Sequence, residues 1–160
     1  MTGYFAHAAR ALSAEDHVSA RVLLMGALGV TPYIDRAMEI LQRAERGHDV
    51  EHRALVIARD GTVAALALFG AVAGAVGVSK LHAAIVAPSV SVADVGERIV
   101  SAVLDTTRHE GGRLIVAELP DDPVMNQARA LLTSAGFEEE ARVPDFYRDG
   151  VALTLMRRAL

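Results

Sequence analysis

Apolar positions along this 160-residue chain change period several times, and each change marks an element. Phe5–Leu12 alternates mildly and predicts a first strand. Ser13, with Asp16 three residues on, opens a helix whose Val18, Val22, Met25 and Leu28 fall on one face before Gly29. Thr31–Pro32 starts a second helix with the stripe Ile34, Met38, Leu41 and Ala44, ended by Gly47. The period then shortens to that of sheet. Arg53–Arg59 and Val63–Phe69 are strands joined by Asp60–Gly61, a two-residue hairpin signal, and Leu81–Ala87 is a third strand closed by Pro88. Ser91 caps a helix with Val95, Ile99 and Val103 on one side, stopped by Gly111–Gly112. Arg113–Leu119, "RLIVAEL", reads as a strand buried on both faces. Asp122–Pro123 begins the last helix, with Met125, Ala128, Leu131 and Leu132 inward and Gly136 just past its end. Glu138–Val143 and Val151–Met156 are closing strands on either side of "DFYRDG".

The order is therefore β-α-α-β-β-β-α-β-α-β-β. Strand, helix, strand from Leu81 to Leu119 is a crossover, which makes those two strands parallel, while the flanking hairpins are antiparallel. The fold class is α/β, a mixed and mostly antiparallel central sheet with one parallel pair and helices on both faces. No linker or repeat interrupts the pattern, so one domain over 1–160 is expected.

Composition narrows the function. Hydrophobic residues make up 52% and charged residues 22%, which excludes a disordered chain. The net charge is −4 with no Lys or Arg run, which argues against nucleic acid or a membrane surface as partner. The absence of cysteine removes disulfides, thiolate metal sites and a cysteine nucleophile. His7, His17, His48, His52 and His109 form no ligand spacing, so no metal is expected. The start of the chain has no signal-peptide pattern, which predicts a cytoplasmic protein. Gly61–Ser79 runs nineteen residues without a charge, yet Gly70, Gly74 and Gly77 break it, and two buried strands account for it better than a membrane span.

Candidate chemistry centres on Val86–Val100, "VAPSVSVADVGERIV". A strand–loop–helix junction of this kind aims free backbone N–H groups at an anion. Together with "NQARALLTSAGF" and "FYRDGVALTLMRRAL", this segment and the element order resemble the GCN5-related N-acetyltransferase (GNAT) superfamily. Asn126, Gly136–Phe137, Phe146–Tyr147, Asp149–Gly150 and Met156–Arg157 carry the likeness.

The resemblance implies that the parallel strands splay apart and that acetyl-CoA wedges between them as cosubstrate. The Val86 backbone then meets the pantetheine arm. The pyrophosphate lies on Ser91, Val92, Ala93, Asp94, Val95 and Gly96, and Asn126 joins the cofactor-binding set. The reaction implied is direct acetyl transfer to the amine of a small molecule or peptide, with a base for the amine proton and an acid for the thiolate. His82, read as alternating with Ala84 and Val86 on one face, is the candidate base. Tyr147 is the candidate acid, because Leu132 stands where many members carry a tyrosine. The acceptor pocket falls to the first two helices and the last hairpin, where Tyr33, Asp35, Glu39 and Asp145 are placed to attract a cationic amine.

The chain departs from the family loop, Gln/Arg-x-x-Gly-x-Gly/Ala. Ser91 takes the first position, Val92 and Asp94 replace glycines, and only Gly96 is kept. A carboxylate ~5 Å from a pyrophosphate costs roughly 1–3 kcal/mol. Asp94 also suits a capping box with Ser91. The rival reading is a GNAT-fold binding or sensor domain without effective CoA chemistry. A third is an interaction domain whose Gly61–Ser79 stretch covers a homodimer face.

Overall fold

The computed structural model describes residues 8–160. Its elements follow the predicted order: β1 (Arg10–Ala11), α1 (His17–Leu28), α2 (Ile34–Arg46), β2 (Arg53–Arg59), β3 (Thr62–Ala71) and β4 (Val78–Val86). Then come α3 (Glu97–His109), β5 (Leu114–Pro120), α4 (Asn126–Ser134), β6 (Glu138–Arg148) and β7 (Val151–Ala159). The first predicted strand lies partly outside the described residues; within them it shrinks to Arg10–Ala11, paired with Val56 and Leu55.

The strands form one seven-stranded sheet in the order β1-β2-β3-β4-β5-β7-β6. Every pairing is antiparallel except β4 with β5. The β2–β3 turn places Asp60 at φ 51 and Gly61 at φ 73, the two left-handed residues that a type I′ hairpin needs. Gly61–Ser79 resolves into β3, a turn and the start of β4. No helix among the described residues is long and apolar enough to cross a membrane.

Two clusters of buried side chains lie on opposite faces of the sheet. Under α3 and α4, Phe69, Leu81, Val95, Ile99, Val103, Ile115 and Leu132 pack together. Under α1 and α2, Leu23, Leu24, Leu28, Ile40, Leu41, Leu66 and Leu68 do the same. Each fully buried leucine or valine contributes roughly 1.5–3 kcal/mol, so helices are held on both faces as expected.

Three sequence expectations need correction. In α1 the inward face is Ala20, Leu23, Leu24 and Leu28, whereas Val18, Val22 and Met25 are 74%, 66% and 51% exposed. The helix carries two apolar stripes about 200° apart, and the leucine stripe wins because it buries more area. In α2 the buried line is Ala37, Ile40 and Leu41, with Ile34, Met38 and Ala44 at its margin. β5 is not buried on both faces: Ile115, Ala117 and Leu119 point into the core, while Glu118 is exposed and Val116 half-buried. The C-terminal half of β5, Ala117–Pro120, lines a cleft, which leaves Glu118 exposed.

Candidate active site

The cleft begins where the parallel ladder stops. β4 and β5 pair only through Val78–Leu114, Ser79–Ile115 and Lys80–Val116, although β4 continues to Val86 and β5 to Pro120. Beyond Lys80 the strands part, as the resemblance implies. The Ala87 N–H still donates to the Ala64 carbonyl of β3 at 2.8 Å. Strand alternation therefore turns the backbone groups of Ala84 and Val86 the other way, toward β5, where no ladder receives them. The resulting cleft has a volume of about 970 Å³. Lys80–Pro88, Ala117–Pro120, α1, α2, the start of α4 and the Phe146–Tyr147 corner line it.

His82 sits at a bulge on this wall. The β3–β4 ladder steps from Leu68–Ala83 to Phe69–Leu81 and passes over His82. An extra residue of this kind shifts the faces of the strand around it. Leu81, Ala84 and Val86 belong to the cluster under α3, while Ala83, Ile85 and Ala87 belong to the one under α1 and α2. The expected alternation of His82 with Ala84 and Val86 therefore does not hold. The His82 ring stacks on His52 with centroids 5.6 Å apart and, through Nε2, contacts the Glu51 carbonyl at 3.2 Å. With Nε2–H as donor, Nδ1 carries the free lone pair. Burial, assisted by the charges of Lys80 and Arg36, pushes the His82 pKa down to about 4, so the ring is neutral at pH 7.

Behind it, Asp49, Glu51 and His52 bring their ligand atoms within 4.8 Å of one another. Asp49 is already engaged there, with His52 Nδ1 and with the Glu51 N–H at 2.8 Å. The His spacing gave no hint of this cluster.

Val92–Gly96 forms a π-helical turn that leads into α3. Ser91 Oγ accepts from the Asp94 N–H at 3.3 Å, and the Val95 N–H donates to the Ser91 carbonyl at 2.9 Å. The capping box is only half built, because the Asp94 carboxylate turns to Arg98, 2.9 Å away. Gly96 is buried in a seam: a Cβ there would stand 3.0 Å from Leu131 and 3.3 Å from Val86. Its place is fixed by the packing of β4, α3 and α4. Ser91, Val92, Ala93, Asp94, Val95 and Gly96 lie outside the cleft lining, past its Pro88 end, and only Val86 of the predicted cofactor set lines it. Asn126 opens α4 as an exposed residue, and its neighbours Gln127 and Ala128 reach the cleft instead.

The opposite rim is a corner of β6. Between Val143–Leu153 and Arg148–Val151 this strand carries three more residues than β7 and leaves the ladder. Asp145 takes φ 54 there and accepts from the Gly150 N–H at 2.7 Å. The excursion lays Phe146 and Tyr147 against the cleft, the Tyr147 ring edge-on to Phe146 at 5.0 Å and to Tyr33 at 5.7 Å. Burial raises the Tyr147 pKa, with Glu118 adding to it, so the phenol keeps its proton at neutral pH. Tyr33 donates to Asp122 at 2.9 Å, and Arg148 reaches both, which ties the α1–α2 turn, the start of α4 and β6 together at the mouth.

None of the acidic residues expected to draw a cationic amine lines the cleft. Glu39 pairs with Arg36 and Arg43, Asp145 holds the hairpin turn, and Asp35 sits exposed in the first turn of α2, outside the cleft lining. Sequence reasoning missed Lys80, Arg36 and Glu118, which line the cleft, because isolated charges in apolar segments carry no pattern.

Neither a family model nor a curated protein matches the chain. Solved structures do. A protein from Desulfovibrio desulfuricans assigned to the GNAT family of acetyltransferases superposes with TM-score 0.83 at 24% identity, over 95% of this chain and 98% of its own. yncA from Salmonella typhimurium, assigned as an acetyltransferase and solved with its cofactor acetyl-CoA, gives 0.74 at 20% identity, over 95% and 92%. The aminoglycoside 6'-N-acetyltransferase of Enterococcus faecium gives 0.77 at 13%, over 94% and 96%. The fold of this chain is the GNAT fold.

Proposed function

We propose that the protein is an acetyl-CoA-dependent N-acetyltransferase that passes the acetyl group directly to the primary amine of a small molecule or peptide. The observation that carries this reading is the early end of the β4–β5 ladder. A parallel pair abandoned after three residues leaves strand backbone free along a deep cleft, which suits an extended, amide-bearing ligand. The residues present fit acetyl-CoA. Ala84 and Val86 offer unpaired backbone N–H and C=O groups to its arm, and the turn from Ser91 to Gly96 lies beyond Pro88 for its phosphates. Arg98 neutralises Asp94, which offsets the charge conflict that the sequence alone raised.

When bound, acetyl-CoA supplies an acetyl group activated as a thioester. The chain's own residues do the rest. A backbone N–H at Val86 polarises the carbonyl under attack. His82, neutral and with Nδ1 free, accepts a hydrogen bond from the acceptor amine and takes up its proton as the new C–N bond forms. Tyr147 keeps its phenolic proton at neutral pH and returns one to the departing sulfur. The Tyr33–Asp122–Arg148 network holds the corner that carries it.

The test is a melting-temperature titration with acetyl-CoA and with CoA. Ligand at 100 times its Kd adds about 2.7 kcal/mol, a rise of about 5–10 °C for a chain of this size. No shift at millimolar ligand rules the reading out; a shift followed by thiol release in the presence of amines supports it.

A further inference from the structure

The acceptor wall of the cleft carries a charge pattern that narrows the amine. The lining residues from α1, the following turn, α2 and β6 include Val22, Leu28, Ile40 and Phe146, and a single formally charged side chain, Arg36. Among the described residues no carboxylate stands on that wall. In the rest of the lining the charged side chains are Lys80 and Glu118, and these pair with each other at 2.7 Å. Among the described residues the cleft lining thus carries two cations, Arg36 and Lys80, against the one carboxylate of Glu118.

A smaller recess of about 290 Å³ continues from the same place. It shares Arg36, Lys80 and His82 with the cleft and adds Arg43, against the one carboxylate of Glu51. Arg36 and Arg43 divide a single carboxylate, Glu39, at 2.8 and 2.9 Å, so each guanidinium keeps donors to spare. The charge of Arg36 reaches the candidate base, since it lowers the His82 pKa.

The second observation is apolar surface left wet. α1 turns its spare stripe of Val18, Val22 and Met25 outward, and Val22 lies on the cleft. Across from it Phe146 is 57% exposed, on a strand that leaves its ladder to put it there. Apolar side chains from two separate elements facing one opening are matched by an apolar ligand body.

We propose that the acceptor is a primary amine on an apolar body that bears an anionic substituent, the body lying against Val22, Leu28 and Phe146 and the anion meeting Arg36. The inference rests on the acetyltransferase reading. A polycationic amine finds no carboxylate on the acceptor wall and is repelled by Arg36.

Initial rates with acetyl-CoA and three probes test it: L-phenylalanine, phenethylamine, which lacks only the carboxylate, and the polycation kanamycin. The expected order of kcat/KM is phenylalanine, phenethylamine, kanamycin, with about tenfold or more between the first two from one charge-assisted contact. Arg36→Gln closes that gap, and Val22→Asp lowers the rate with both aromatic amines. Kanamycin as the best substrate overturns the proposal. So does a phenylalanine-to-phenethylamine ratio that Arg36→Gln leaves unchanged, or no transfer to any probe by a protein that acetyl-CoA stabilises. Absence of any stabilisation by acetyl-CoA is a separate result, and it falls on the acetyltransferase reading itself.

Discussion

At one end of the β4–β5 pair, Val78, Ser79 and Lys80 lie in register with Leu114, Ile115 and Val116; at the other, Leu81–Val86 and Ala117–Pro120 keep their outer partners β3 and β7 but no longer pair with each other. The residue types hardly differ between the two ends. What differs is the support around them. At the closed end the turn before β4 is bonded to the start of β5, with the Arg113 N–H donating to the Gly77 carbonyl at 2.8 Å. At the open end His82 bulges β4, and Gly96 lets α3 settle against Val86 and Leu131. A buried backbone group left without a partner costs about 1–3 kcal/mol, so a sheet gives up several such bonds only where solvent or a ligand replaces them. The closed end holds the fold, and the open end leaves the cleft that is the candidate site.

The strongest way to break this contrast is at the bulge. His82→Ala lowers kcat about 10²-fold or more if the ring takes the amine proton, as steady-state kinetics would read. A loss under threefold would leave the bulge as architecture only. The same ring sets an acid limit on stability. Its pKa is 6.5 in the unfolded chain and about 4 in the fold, so folding favours the neutral form. The stability this gives is fully present above pH 6.5 and is lost as pH falls through 4, up to about 3 kcal/mol. Denaturant melts from pH 7 to pH 4 are expected to fall more steeply for the native protein than for His82→Ala, because carboxylate titration is common to both. Parallel curves would mean that the imidazole is solvated.

A smaller effect is expected at the seam behind the open end. Gly96→Val places methyl groups against Leu131 and Val86, which already stand 3.0 and 3.3 Å from a Cβ. Overpacking of this kind costs about 1–3 kcal/mol and displaces the strand that offers its backbone to the cleft. Melting temperature and acetyl-CoA affinity should fall together. A loss of affinity with no loss of stability would instead place Gly96 against the ligand.

How far the sequence foretold this depends on whether a feature is periodic. Ile99 and Val103 gave the buried face of α3, Val95 that of the turn leading into it, and Asp60–Gly61 gave the hairpin, because all rest on local rules. α1 misled because Val18, Val22 and Met25 make as good a stripe as the leucines, and only packing chooses between them. The position of the cleft was legible from the crossover and the loop after Pro88. The orientation of His82 was not, since one bulged residue overturns an alternation argument and leaves no mark in composition. The Asp94–Arg98 pair, by contrast, stands at the i,i+4 spacing that a local rule reads, and it sets a cation beside the carboxylate that the loop pattern had made a charge conflict.

That pair yields the finest test of the open end. Asp94→Gly removes a carboxylate from the turn before α3 and releases Arg98, 2.9 Å away, from its partner. If the cofactor's pyrophosphate lies on this turn, acetyl-CoA binding tightens, though less than removal of an unpaired charge would give. About two- to fivefold is expected, because the ion pair already cancels most of the repulsion. Arg98→Ala exposes the Asp94 charge and weakens binding by a similar factor. Both changes shrink as salt is raised toward 1 M, where the Debye length is about 3 Å. Equal affinity for all three proteins at low salt would move the phosphates off this turn and leave Gly96 as a packing glycine alone.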